Sequence, residues 1–163
     1  MTQDKKPVRN LKKVCNFRYL PPDNNFPPEK VTSVCAVPFM EDGQIVVVKL
    51  DRWWDIAGGH VQEWEVDFIE TAKREAIEEG YMTIKDVSLA LVIESDYFWS
   101  NPEELTYMLC YSACVDRLLP FEVNNESFGR KITSIDEFLR DYEGNRELIE
   151  QMILSCLSKR HHS

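Results

Sequence analysis

The 163-residue chain lacks any apolar run near the ~18 residues of a membrane span, and its polar start, MTQDKKPVRN, holds no secretory core. These absences predict a cytoplasmic protein with no membrane partner. Positive charge is scarce as well. With 28 acidic against 19 basic residues the formal charge is −9, which argues against a nucleic acid polymer as partner, because backbone binding demands a basic surface. A single nucleotide is not excluded, since bound cations reverse the local field. Repeats and low-complexity tracts are absent. So is a second Cys/His pair to accompany Cys110 and Cys114. Those two fall in a strand-like segment, LTYMLCYSACVDRL, and read as buried structural thiols rather than metal ligands. The odd total of five cysteines favours reduced thiols.

What is present suits one domain over residues 1–163, with 1–14 and 159–163 loose. A 44% hydrophobic content supplies a core. Residues 17–20 suggest a short strand, and the prolines between Pro21 and Pro28 a loop that cannot join a sheet interior. VTSVCAVPFM (31–40) and QIVVVKL (44–50) read as strands joined at Glu41-Asp42-Gly43. The run Val46-Val47-Val48 predicts a strand covered on both faces, and Pro38 predicts an edge or a bulge for its own strand. Long strands are expected over about 85–97 and 105–116, with a short one in 129–135. Ser134 and Glu137 form a capping-box pattern for a helix from Ile135 to Tyr142, and a last helix is expected over about Arg146 to Ser158. Strands on both sides of a central helix, with helices at the end, indicate an α/β (α+β) fold in which a mixed sheet lies between helical layers.

The segment from Trp54 to Gly80, WDIAGGHVQEWEVDFIETAKREAIEEG, carries the chemistry. A Gly-Gly turn precedes a helix expected over about 66–79. On that helix Ile69, Ala72 and Ala76 share an apolar face, while Glu75 and Glu79 border it and Glu78 and Arg74 point farther away. Gly80 is suited to the left-handed C-terminal conformation. Three neighbouring carboxylates repel one another at neutral pH. A hard divalent cation relieves that repulsion, and Mg²⁺ favours carboxylate oxygens completed by substrate phosphates. An acidic, solvated helix face held by Lys73 and Arg74 is the plainer alternative.

The same segment resembles the Nudix box, the signature of the Nudix hydrolase family: a Gly, five residues, a Glu, seven residues, then Arg-Glu-apolar-any-Glu-Glu-any-Gly-apolar. Gly59, Glu65, Gly80 and Tyr81 fit its outer spacing, and REAIEE (74–79) is intact but displaced by one residue toward Gly80. Trp54-Asp55-Ile56-Ala57-Gly58-Gly59 is similar to the W-x-L-P-G-G that precedes the box, and Trp64 stands where relatives often have Gly. The resemblance implies a Nudix fold and a hydrolase that uses Mg²⁺ or Mn²⁺ to cleave the pyrophosphate of a nucleoside diphosphate linked to another group. The metal ligands it implies are Glu75, Glu79, Glu78 and the carbonyl of Gly59. Glu75 is also the implied general base, with Arg74 orienting the carboxylates and Glu126, in a later loop, as a further ligand or base. Arg52, Trp53 and Trp99 are candidate substrate contacts, the indoles for stacking on a planar group. Lys49 and Arg130 are further candidate phosphate partners. A domain of the same family that binds a nucleotide or a protein but hydrolyses poorly is the alternative, and a prenyl or inositol pyrophosphate is a third. The sequence carries no signal for the oligomeric state. Because an insertion inside the helix would swing Glu75 by about 100°, the extra residue between Glu65 and Arg74 is expected in the loop or first turn, leaving the carboxylate helix intact.

Overall fold

Alternation along one valine run divides the molecule. Val46 and Val48 point into one apolar cluster, and Val47 points into another on the opposite face of the same sheet. All three are fully buried, as expected for a strand covered on both sides. The computed structural model describes residues 16–96 and 105–161. Trp99, Cys15 and residues 1–14 lie outside them.

Eight strands form one mixed sheet. They are β1 (Phe17–Leu20), β2 (Val31–Phe39), β3 (Ile45–Lys49), β4 (Trp54–Asp55), β5 (Gly58–His60), β6 (Met82–Ser95), β7 (Thr106–Leu118) and β8 (Gly129–Thr133). The main path runs β1-β6-β7-β2-β3-β4, with β5 added to β2 and β8 to β3. β2 and β7 pair in parallel, and β6 and β7 form a long antiparallel ladder. Gly43, at φ +87°, turns β2 into β3 where the sequence places a hairpin. Helix α1 (Phe68–Gly80) covers one face through Ala72 and Ala76, whose small side chains allow a close approach. Helices α2 (Ile135–Asp141) and α3 (Arg146–His161) cover the other with Phe138, Ile149, Met152, Ile153 and Cys156. This is the mixed sheet between helical layers that the sequence predicts.

Four local expectations are corrected. β2 is interior, not an edge; Pro38 is tolerated because β2 pairs with β5 only at Ser33–Cys35 and with β3 only at Phe39, so the proline falls in a gap on that side. The left-handed residue that ends α1 is Tyr81 (φ 47°), not Gly80, and its N–H bonds back to the carbonyls of Ala76 and Ile77. Helix α1 begins at Phe68 rather than 66, because the Asp67 carboxylate accepts from the Glu70 amide and sets the start there. Helix α3 continues to His161, past the expected end at Ser158, so residues 159–161 are helical. The Ser134 cap forms as expected, its hydroxyl accepting from the Glu137 amide at 3.2 Å. Among the described residues no helix is long and apolar enough to cross a membrane.

Candidate active site

The site forms where β5 meets α1. Gly58 and Gly59 lie in β5 directly against β2 and α1. A Cβ on Gly58 would fall 2.7 Å from both the Val34 carbonyl and Cys35 Cβ, and one on Gly59 would fall 2.7 Å from Glu75 Cδ. Glycine here lets backbone touch backbone on one side and carboxylate on the other. The Gly58 N–H donates to Glu79 Oε2 at 3.2 Å, which ties strand to helix.

Arg74 organises the loop. Its guanidinium, largely buried, bonds Glu65 at 3.1 Å, Glu75 and Glu78 each at 2.9 Å, and the carbonyl of His60 at 2.8 Å. The expected i,i+4 pair with Glu78 exists, yet it is one contact of four. Glu65 is the anchor, with its side chain wholly buried. It also accepts from the Gln62 amide at 2.8 Å. Burial raises its pKa, but the bonds from Arg74 and that amide outweigh it and leave the carboxyl below its ordinary value. Glu65 in turn holds the Arg74 charge firmly in place.

The carboxylate helix is intact, as expected. Gln62 to Glu65 form a turn closed by the Glu65 amide on the Gln62 carbonyl, Val66 protrudes into solvent, and α1 then runs unbroken. Glu75 and Glu79 therefore keep their aim at Gly59 and Gly58. Trp64 occupies the turn with ordinary backbone, since positive φ among described non-glycine residues is confined to Tyr81 and Asp86. The indole is 68% exposed, so it does not plug the cleft.

Glu126 arrives from the loop between β7 and β8. One oxygen from each of Glu75, Glu79 and Glu126 can be chosen so that all lie within 4.8 Å of one another. This loop is pinned by contacts the sequence analysis did not foresee. Asn124 Oδ1 accepts from the amides of Glu126 and Ser127, and the buried Ser127 hydroxyl donates to the Glu79 carbonyl at 2.6 Å. The signal available was the short Asn-Asn-Glu-Ser run, a turn composition before β8. Burial pushes the Glu79 carboxyl up to about 8, with Glu75 and Glu126 adding repulsion against the partial relief from the Gly58 amide. Burial likewise raises Glu75, less so because Arg74 opposes it. The donor set is all carboxylate oxygen, crowded and short of positive charge, which fits a hard divalent cation such as Mg²⁺ or Mn²⁺.

The remaining predicted residues divide. Glu78 lines the cavity, but its side chain is 42% exposed and tied to Arg74, and it stands outside the three-carboxylate cluster. Arg52 lines the same cavity while paired with Asp55 at 3.1 Å. Trp53 is not brought to the cavity; its indole N–H donates to Asp55 and its ring packs edge-on to Tyr142. Arg130 is not a phosphate partner in this arrangement. Its guanidinium donates to the carbonyls of Gly80, Tyr81 and Leu119 and so caps the end of α1. Lys49 leans on the Arg52 carbonyl at 3.5 Å. Asp55, which the sequence analysis passed over, gathers Arg52, Trp53, Tyr142 and the Ile56 amide. The cavity has a volume of about 870 Å³ and extends from the carboxylates to Tyr142 and Met152 on the α2–α3 side.

The fold recurs among solved structures. The fold is similar to the Bacillus subtilis pyrophosphohydrolase BsRppH, at 16% identity and TM-score 0.70, covering 88% of this chain and 90% of that one. It is similar to a C. elegans Ap4A hydrolase at 14% identity and TM-score 0.58, covering 80% and 99%. The NUDIX domain of Shewanella oneidensis NrtR, solved with ADP ribose, is similar at 16% identity and TM-score 0.56, covering 78% and 91%. Among curated proteins no sequence matches. Residues 29–152, well over half of the chain and including every element of the site, match the NUDIX domain, and the chain therefore belongs to the NUDIX family.

Proposed function

We propose that this protein is a divalent-metal-dependent pyrophosphohydrolase that cleaves a nucleoside diphosphate linked to a second group. The observation that carries the reading is the convergence of Glu75, Glu79 and Glu126 beside the Gly58-Gly59 strand, at one wall of an open cavity. Glu75 and Glu79 hold the cation, with the Gly59 carbonyl beside them. Glu75 Oε1 is engaged by Arg74 and Glu79 Oε2 by the Gly58 amide, which leaves Glu75 Oε2 and Glu79 Oε1 as the ligating atoms. Glu78 serves Arg74 rather than the cation. The chemistry that bound Mg²⁺ or Mn²⁺ supplies is neutralisation of phosphate charge and acidification of water.

The chain's own residues do the rest. Glu126 is exposed and, among the described residues, no arginine clamps it, so its carboxylate takes the proton of the attacking water. We assign it this role in preference to Glu75, whose carboxylate is held by Arg74. The water oxygen bonds to phosphorus, the bridging P–O bond breaks, and the products are a nucleoside monophosphate and a second phosphate fragment. Arg74, fixed by Glu65, keeps Glu75 from turning away. Arg52 lines the cavity as a cation for substrate phosphate. The nucleotide class is supported by the Ap4A and ADP-ribose named for the similar proteins, and the open mouth at Trp64 supports catalysis over a binding-only domain. Nucleoside diphosphate derivatives assayed with Mg²⁺ by phosphatase-coupled phosphate release test the reading. Turnover should appear with metal and vanish with a chelator; absence of turnover across sugar-linked, dinucleoside and nucleoside triphosphate substrates would overturn it.

A further inference from the structure

The cavity has two unlike ends with the carboxylates between them. One end is Trp64. Its ring lies 6.0 Å from Arg74 Cζ, and Arg74 bonds Glu75, which abuts Gly59. Continuing in the other direction, Gly58 presses on Cys35, whose side chain belongs to the apolar cluster of Ile149 and Met152, and Tyr142 reaches Asp55 at 3.4 Å. The cavity that the carboxylates line is thus also lined by Tyr142 and Met152 on the α3 side and by Trp64 at the entry turn.

The indole has the properties of a seat rather than of a core residue. The turn from Gln62 to Glu65 holds it out of the interior, 68% exposed, on the cavity lining. The four-way grip on Arg74 fixes a guanidinium beside it, giving a cationic neighbour to an aromatic face. An exposed indole gains by stacking on a flat ring, and such stacking tolerates any base. A sugar without a planar ring gains far less.

Resting on the hydrolase reading above, we infer that Trp64 is a specificity-determining residue that stacks on a planar group at the second end of the substrate. The preferred substrate then carries a ring system on both sides of the scissile diphosphate, as in a dinucleoside polyphosphate. Two compounds isolate this claim. Diadenosine diphosphate and ADP-ribose share the AMP half and the phosphate number, and differ in whether the second end bears a base. Water adds to one phosphorus and the bridging P–O bond breaks in each, giving two AMP from the first and AMP with ribose 5-phosphate from the second.

The test is the ratio of kcat/KM for diadenosine diphosphate over ADP-ribose, measured with Mg²⁺ for the wild type, Trp64→Leu and Trp64→Phe. The ratio should fall about tenfold in Trp64→Leu, the scale of one lost base–aromatic stack. The fall should lie in KM for diadenosine diphosphate, and Trp64→Phe should keep most of the preference. A ratio unchanged in Trp64→Leu overturns the inference. If neither compound is hydrolysed, tryptophan emission decides the stacking independently of the hydrolase reading. Diadenosine diphosphate should quench the wild type more than Trp64→Phe, whereas equal quenching or none overturns it.

Discussion

The two faces of the sheet are built on opposite terms. Against α3 the contacts are apolar and closed: Ile149, Ile153 and Cys156 are almost or wholly inaccessible, and the thiols of Cys110 and Cys156 meet at 3.6 Å. The Cys35 and Cys110 thiols are pushed well above their ordinary pKa, Cys35 first by its contact with Cys110 and Cys110 first by its contact with Cys156, with burial adding to both. They sit there as neutral, fatty groups. Against α1 the same sheet buries Ala72 and Ala76, but it also buries Glu75 and Glu79, whose charged forms the surroundings oppose. One face stabilises the fold. The other holds carboxylates in a state that favours a cation over water, and this costs stability until a cation arrives.

The largest expected effect tests the stabilising face. Ile153 is fully buried among the side chains of α3 and the sheet. Ile153→Ala should cost about 2–5 kcal/mol, the usual range for such truncations, read from urea unfolding. Turnover per folded molecule should stay near that of the wild type. A large loss of turnover by fully folded Ile153→Ala would show that the two faces are not separable.

The complementary substitution is Glu79→Gln, which keeps the shape and the acceptor for the Gly58 amide but removes a charge. Mg²⁺-supported turnover should fall at least tenfold, or about 1.4 kcal/mol. Stability of the metal-free protein should hold or rise. A pH dependence accompanies it. The Glu79 pKa in the folded chain is about 8, against an ordinary 4.5. Between those values the native state holds a proton that the unfolded chain has released, so wild-type stability should decline as pH climbs from about 4.5 toward about 8 and then level off. Glu79→Gln should flatten that slope. Urea titrations of both proteins at pH 5 and pH 8, without metal, check the sign; parallel pH profiles would mean that Glu79 is not the group responsible.

The contrast between faces also explains what could be read in advance. Apolar periodicity belongs to the chain alone, so the valine run, the Ala72–Ala76 face and the α3 stripe announced both layers of the sandwich. The spacing of Glu75 and Glu79 was legible for the same reason, since the helix period puts them on the buried border. Contacts between distant segments were not legible. Ser127 grips α1 at the Glu79 carbonyl and Arg130 caps its end, and neither residue has a pattern that names its partner. Arg130 as a lone basic residue suggested phosphate, when three orphan carbonyls were its destination. The contacts of Trp53 were equally unreadable: an indole in a turn suggested stacking, and nothing in the sequence named Asp55 and Tyr142 as its neighbours. The left-handed end of α1 falls on Tyr81, one residue past the glycine that composition favours, because the helix keeps Gly80 as its last residue.

The smallest effects bear on the displaced box itself, where the site meets its entry loop. Asp67 caps α1 at 2.9 Å from the Glu70 amide, whereas Val66 is 89% exposed just before it. If the additional residue is absorbed ahead of the cap, the helix register depends on Asp67 and not on the side chain of Val66. Asp67→Ala should therefore cost about 1 kcal/mol, the ordinary value of a lost N-cap, and Val66→Ala should stay within about 0.5 kcal/mol, as surface changes do. Turnover should remain within about twofold in both, because Arg74 is fixed by Glu65 and the His60 carbonyl rather than by the cap. Thermal unfolding and the coupled phosphate assay on the two variants check this. A loss of turnover in Val66→Ala approaching that of Glu79→Gln would place the extra residue's influence inside the carboxylate helix and break the separation between the entry loop and the site.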